Sequence, residues 1–431
     1  MVAARSTGPP VHVSALAGER IPFLTVLAVS AGEGGVLRKA IAGAVALVLA
    51  ALLGINYLRP VPHVAATQTL PGSLTKGAAP TLPWPDRGQA AVGAEGSGVL
   101  AATPGARPEP IASVAKVMTA MVVLDQKPLQ TGQQGPTLTV TPADVAEYQQ
   151  AAANGESVVP VQAGEQLSEY QALQALLIPS GNNIAQIIAR WASGSMDAHV
   201  QRMNTRAAEL KLRQTHFADV SGISDKTVSV PADLIRLGEA AMQDKLLADI
   251  VGQPQATLPG VPGQATNVNY ALGKDGIVGV KTGNIPQVGA VYLSAATHQL
   301  ADGRKLLVFA AIQGLPTLQD VFDDARALFA SVRQSLQLQR VVSRDEVVGK
   351  YAAPWGSNSN IVADGDLDVP LLPGTPVAIT LAARALSAPQ AAGPTVGSIK
   401  VKTGFEELQV PAALSDDLGA ATTSWRLTRL G

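Results

Sequence analysis

Residues 40–58 read AIAGAVALVLAALLGINYL, nineteen residues without a charge, set between Arg38-Lys39 and Arg59. No other stretch limits the chain's fate so strongly. As a helix at 1.5 Å per residue it spans about 28 Å, close to the hydrocarbon thickness of a bilayer. A buried helix of a soluble domain would carry polar residues at helical period, and Asn56 is the only clear one. The segment therefore predicts export or anchoring, with the basic pair at 38 and 39 on the cytoplasmic side and everything after residue 59 outside. Nineteen residues is long for the core of a cleaved signal, which favours a signal-anchor. The small residues Val64-Ala65-Ala66 nevertheless form an acceptable cleavage site, so signal peptide and anchor both stay open over residues 36–59. Residues 1–35 precede the natural basic start, Val36-Leu37-Arg38-Lys39, and read as an N-terminal extension or an overcalled start. Residues 60–87 carry Pro60, Pro62, Pro71, Pro80, Pro83 and Pro85 among Gly, Ser and Thr, the composition of a semi-extended linker.

The remainder of the chain, from residue 88 on, is long enough for two domains. The 431 residues are 47% hydrophobic but only 15% charged, against about 25% in a typical soluble domain. Thirty-two Lys and Arg balance 33 Asp and Glu, which leaves no basic field for nucleic acid. There is no cysteine, so thiolate metal sites, redox pairs and a cysteine nucleophile are excluded. The five histidines are scattered, without metal-ligand spacing, and neither metal nor cofactor is expected.

From residue 88 the patterning alternates strands and amphipathic helices. Residues 89–100 read as a strand pair around Gly96 and Gly98, and 113–124 as an apolar helix. Residues 168–193 read as two helices broken at Pro179-Ser180-Gly181, and 196–212 and 231–244 as two more. Residues 276–280, 290–297 and 306–313 are β-rich, and 318–338 returns to helical period. This order is α+β rather than a βαβ series. Beyond about residue 340, short alternating segments between Gly and Pro predict a small all-β domain over 340–431. The catalytic domain would then span 88–339.

Three short motifs carry chemistry: Ser113-Val-Ala-Lys116, Ser180-Gly-Asn182 and Lys281-Thr-Gly283, spaced by 67 and 101 residues. At a helix start, positions i and i+3 share a face, so Lys116 can reach the Ser113 hydroxyl. A serine is a weak nucleophile and needs such a base, an amine desolvated enough to be neutral. Ser180, at a helix break, can relay a proton, and Asn182 can hold a substrate amide. Lys281 and Thr282 on an edge strand can bind a carboxylate by charge and hydroxyl. The backbone N–H groups of Ser113 and Asn284 would form an oxyanion hole. Each motif alone is weak, since Ser73-Leu-Thr-Lys76 and Lys402-Thr-Gly404 repeat two of them. The first copy lies in the proline-rich stretch, where no helix presents it, and the second reads as an exposed hairpin turn. The ordered set is the signal.

That set resembles the low-molecular-weight penicillin-binding proteins, serine-type D-Ala-D-Ala carboxypeptidases of peptidase family S11. The resemblance covers residues 88–431. It rests also on Pro110-Ile-Ala-Ser113-Val-Ala-Lys-Val-Met-Thr119, Gly164-Glu-Gln-Leu-Ser168 and Leu176-Leu-Ile-Pro-Ser-Gly-Asn-Asn183. Met203-Asn204, Thr215-His-Phe217, Asp219-Val-Ser-Gly222 and Gly279-Val-Lys-Thr-Gly283 complete it. It implies a β-lactamase/transpeptidase-like domain, a helix-flanked antiparallel sheet beside a helical subdomain, followed by a β-sandwich. It further implies an acyl-enzyme on Ser113, Lys116 as general base, Ser180 in the proton relay, and Lys281 on the terminal carboxylate of a peptidoglycan stem peptide. Thr282, Gly283, Asn284 and Asn182 would complete the substrate site. β-Lactams would be inhibitors, and the membrane a partner through the N-terminal segment.

Two features depart from the family pattern. Many members end in an amphipathic membrane-binding helix, which Trp425-Arg-Leu-Thr-Arg-Leu-Gly431 does not resemble, so the tether is expected at residues 40–58. Asn284-Ile-Pro286 after the lysine motif is also unusual and bears on peptide specificity. Rival readings are a D,D-endopeptidase with the same site, a class A β-lactamase, and a non-catalytic cell-wall-binding module. The β-lactamase needs a deacylating Glu, and no Glu between Asn182 and Lys281 is followed four residues later by Asn. Intact Ser113 and Lys116 weigh against the binding module.

Overall fold

A computed structural model describes residues 35–286 and 288–429, so nearly all of the extension expected over 1–35 lies outside the described residues. The described residues divide into two compact units, 35–61 with 421–429, and Pro62–Ala420.

In the first unit one helix, Gly35–Leu58, extends five residues ahead of the charge-free run and buries none of its side chains. Its final carbonyls have no partners within the helix. The Ile55 carbonyl accepts from the Arg59 N–H at 3.1 Å, and the C-terminal segment meets that of Asn56 and of the two residues after the helix. The Arg429 guanidinium donates to the carbonyls of Asn56 at 2.8 Å, Pro60 at 3.1 Å, and Arg59. Asn56 Nδ2 returns the contact to the carbonyls of Leu427 and Arg429 at 3.0 and 2.8 Å.

In the second unit a five-stranded antiparallel sheet carries the strands Ile277–Ile285, Gly289–Gln299, Lys305–Leu315, Gln89–Ala94 and Gly98–Ala102, in that order. Both faces are covered. Along Gly289–Gln299, Ala290, Tyr292 and Ala296 join one core cluster while Val291, Leu293 and Ala295 join the other. This two-residue alternation is that of a pleated strand. The first cluster holds Val321, Phe322, Leu328 and Phe329 of the helix Leu318–Ser335. The second holds the helices Ala115–Gln126, Glu169–Leu177, Asn182–Ser193 and Pro231–Gln243. With both faces buried, the strands read in sequence as continuous apolar runs. The edge strand Ile277–Ile285 runs five residues past the segment read as β-rich, which places Lys281-Thr-Gly283 within it.

The third core belongs to a seven-stranded sheet that corrects one expectation. Its order is Ala66–Gln68, Val347–Ala352, Asn358–Ala363, Glu407–Leu414, Thr395–Lys402, Pro376–Ala383 and Ser73–Thr75. Residues 60–87, expected to be a linker, thus supply both edge strands. Val64 is buried and exchanges two backbone hydrogen bonds with Leu386, at 2.8 and 2.9 Å, and Leu82 is buried against the catalytic sheet. The prolines flank these three-residue strands without entering them, and short edge strands tolerate such neighbours. Ser73 sits on an edge strand opposite Ala378, so its Ser-x-x-Lys spacing is not helical. Lys402 faces Glu407 across a hairpin and is exposed.

Candidate active site

Two loops and one strand converge on the start of the helix Ala115–Gln126. A 3₁₀ turn, Ala112–Val114, leads into it with Ala112 at φ +46°. That left-handed conformation costs on the order of 1 kcal/mol or more for a non-glycine residue, and the packing around it holds it. Gly222 lies against the same turn, where an added Cβ would fall 1.7 Å from the Ala112 carbonyl oxygen. Gly283 closes the other side: its Cβ would meet Ala112 Cβ at 2.8 Å, and Ile111 O and Ser113 N at 2.9 Å. The third member of the Lys281 motif is glycine because the strand lies directly on the nucleophile turn.

The helix spacing does what the sequence suggests. Lys116 Nζ lies 2.7 Å from Ser113 Oγ. Ser180, at φ +68°, occupies the break between the helices Glu169–Leu177 and Asn182–Ser193, and its Oγ lies 3.4 Å from the same nitrogen. Asn182 Oδ1 accepts from Lys116 Nζ at 2.6 Å. The break is fixed from behind by Asn183, whose amide donates to Val159 O at 2.8 Å and accepts from Val159 N at 3.0 Å. Ser113, Lys116, Ser180 and Asn182 are therefore one cluster.

Three residues in the cluster carry no role in the sequence reading. The Ser221 carbonyl accepts from Lys116 Nζ at 3.1 Å. Asp219 holds that loop by accepting from the backbone N–H groups of Ser221, Gly222 and Ile223. Glu156 Oε2 accepts from Asn182 Nδ2 at 2.7 Å. Asp219 and Ser221 lie in a segment of the family resemblance, whereas Glu156 belongs to no spacing pattern.

Burial sets the electrostatics. Lys116 is fully buried, and desolvation first, then the positive charge of Lys281, holds its pKa well below the ordinary lysine value. Asp219 and Glu156 pull the other way. Lys281 is 1% exposed, and its burial lowers it to about 7. Its Nζ donates to the Thr282 carbonyl at 3.1 Å, and Thr282 is itself buried. Neither side chain lines the cleft of about 280 Å³ over the cluster, whose walls include Ser113, Glu156, Asn182, Gly222, Asn284 and Pro286. The charge of Lys281 is felt within the cluster, where it lowers the pKa of Lys116. A buried amine poised beside a serine hydroxyl is equipped for acyl transfer.

Residues 89–308, half of the chain, match the model of the S11 peptidase family, D-alanyl-D-alanine carboxypeptidase. The chain belongs to this family. This S11 peptidase is 33% identical over 231 residues to the D-alanyl-D-alanine carboxypeptidase DacB2 of Mycobacterium tuberculosis, covering 51% of this chain and 72% of that protein. It is 31% identical to a D-alanyl-D-alanine endopeptidase of Pseudomonas aeruginosa over 44% of this chain and 58% of that one. Penicillin-binding protein 5 from Haemophilus influenzae superposes with a TM-score of 0.55 over 80% of this chain and 99% of its own, at 17% identity. At that identity the likeness is one of fold, and it reaches past the family match. The α+β class with a helix-flanked sheet is the fold of these enzymes.

Proposed function

We propose that this serine-type D-Ala-D-Ala carboxypeptidase removes the terminal D-Ala of a peptidoglycan stem peptide through an ester on Ser113. The observation that carries the reading is the Lys116 nitrogen, buried, lowered in basicity and 2.7 Å from Ser113 Oγ. As Oγ attacks the carbonyl carbon, its proton passes to Lys116 Nζ. The developing oxyanion is met by the backbone N–H groups of Ser113 and Asn284. The C–N bond then breaks, and the proton reaches the departing D-Ala nitrogen through Ser180, leaving the acyl-enzyme. Water attacks that ester, giving its proton to Lys116, and Ser113 Oγ recovers a proton as it leaves. Lys281 would engage the terminal carboxylate of the stem peptide, beside Thr282. Penicillin would acylate the same serine and stay, since no dedicated base activates water against its bulky ester.

A second reading, cleavage of cross-links, is favoured by the likeness to an endopeptidase, and the same atoms would perform it. Residues 88–339 would be the catalytic domain and 340–431, with the strands from 60–87, the β-domain. The helix Gly35–Leu58, about 36 Å long at 1.5 Å per residue, supports a tether to the cytoplasmic membrane with the enzyme on its outer side. The deciding assay supplies a stem pentapeptide and a cross-linked dimer to the same preparation. Release of D-Ala from the pentapeptide is expected to dominate; cleavage of the dimer alone would favour the second reading, and no reaction on either would overturn both.

A further inference from the structure

Which neighbours Lys116 donates to decides whether it can serve as a base. A neutral amine has two N–H donors and one lone pair. Asn182 Oδ1, at 2.6 Å, and the Ser221 carbonyl oxygen, at 3.1 Å, can only accept. They take the two donors, and the lone pair is left for the two serine hydroxyls, Ser113 Oγ at 2.7 Å and the more distant Ser180 Oγ at 3.4 Å, of which the nearer Oγ–H can donate to it.

The arrangement survives only while Asn182 presents its oxygen to the lysine. The two ends of a carboxamide have nearly the same shape, and a half-turn about its last torsion exchanges them. Turned round, Nδ2 would donate into the lone pair and occupy the base. A neutral amine does not itself forbid that. Glu156 does, because its Oε2 accepts from Asn182 Nδ2 at 2.7 Å and a carboxylate cannot donate. In the reversed state two acceptors would face each other with no hydrogen between them. Glu156 is itself fixed where the chain leaves the helix Pro142–Ala153, its backbone N–H donating to the Ala151 carbonyl at 3.0 Å.

We infer that Glu156 is a positioning residue for acyl transfer, which locks the Asn182 carboxamide so that Lys116 keeps its lone pair for Ser113. The inference rests on the roles of Ser113 and Lys116 proposed above. It has an electrostatic companion. The charged groups facing Lys116 are Lys281 on the edge strand, Asp219 on the 219–223 loop and Glu156 itself, and the two acids support the protonated amine. Removing the Glu156 charge makes Lys116 give up its proton at lower pH.

The test is the second-order rate at which a fluorescent penicillin acylates the full chain between pH 5 and 9, with thermal melting alongside. Glu156→Gln keeps the size but can donate as well as accept, so the lock is lost. Its plateau rate should fall about 10- to 100-fold, the worth of a hydrogen bond to a charged group, and its acid limb should move to lower pH. Glu156→Ala should match it. Glu156→Asp, which preserves an acceptor-only group on a shorter arm, should recover part of the rate and keep the limb near its wild-type position. A wild-type plateau and limb in both Gln and Ala variants, with the wild type labelled on Ser113, would overturn the inference alone. A wild type that takes no label on Ser113 would overturn it together with the function on which it rests. Should the Gln variant melt early, the Asp variant's limb and plateau still decide the matter.

Discussion

Replacing Gly283 by Ala adds one methyl group where the edge strand touches the nucleophile turn. The new Cβ would stand 2.8 Å from Ala112 Cβ and 2.9 Å from both Ile111 O and Ser113 N. Carbon contacts relax at about 3.5–4.0 Å, so against the Ala112 Cβ at 2.8 Å strand and turn must separate by about 0.7–1.2 Å. Two of the three atoms are backbone and the third is a Cβ, so no side-chain rotation can absorb the shift. Overpacking of this kind costs about 1–3 kcal/mol of stability, a loss of some degrees in Tm for a domain of this size. The effect on catalysis should be larger, because a displacement of about 1 Å at a reacting group costs about a hundredfold. Stopped-flow acylation by a chromogenic cephalosporin, paired with a thermal melt, reads both. Acylation slowed about a hundredfold in a folded variant is the expected result. Acylation at the wild-type rate would show that the strand does not set the geometry of Ser113.

The two lysine–threonine–glycine motifs should separate cleanly: Lys281→Ala should lower turnover by orders of magnitude, while Lys402→Ala, exposed on a hairpin, should stay within about twofold. Steady-state D-Ala release from a pentapeptide measures both, and equal behaviour would refute the assignment. Because burial lowers Lys281 to about 7, its charge is present below that pH and lost above it. Accordingly, kcat/KM for a peptide ending in a free carboxylate should fall as pH rises through about 7, and the same peptide capped as an amide should lack that limb. A chain beginning at residue 88 loses both edge strands of the seven-stranded sheet and the buried Val64 and Leu82, each worth about 1.5–3 kcal/mol on burial. It should melt below a chain spanning 62–420 or aggregate, as melting and light scattering would show; identical melting would return residues 60–87 to the status of a linker.

The readable parts of this molecule are those in which one local signal is enough. Helices such as Asn182–Ser193 announce themselves by period, and the break at Ser180 by its proline and glycine. The helix starting at Ala115 places Lys116 on Ser113 by geometry alone. The parts that escape a sequence reading depend on distant partners. Ala66–Gln68 and Ser73–Thr75 are strands only because Val347–Ala352 and Pro376–Ala383 offer them edges about 300 residues away. The helix expected to reach residue 338 stops at Ser335 because Gln337–Val342 pairs with Leu367–Leu371. The sequence suggests Lys281 as a ligand for a carboxylate, but not that burial on a packed strand would lower its pKa to about 7. Glu156 meets Asn182 across 26 residues and a loop, a contact no periodicity records.

The proposed mechanism stands on Ser113 as the residue that carries the acyl group. Its most direct measurement is mass-spectrometric mapping of the full chain after exposure to a stoichiometric penicillin. The adduct is predicted on the peptide containing Ser113 and absent from Ser113→Ala, whose thermal melt should match the wild type. An adduct on Ser73 or Ser180, or undiminished labelling of the Ser113→Ala protein, would contradict the account.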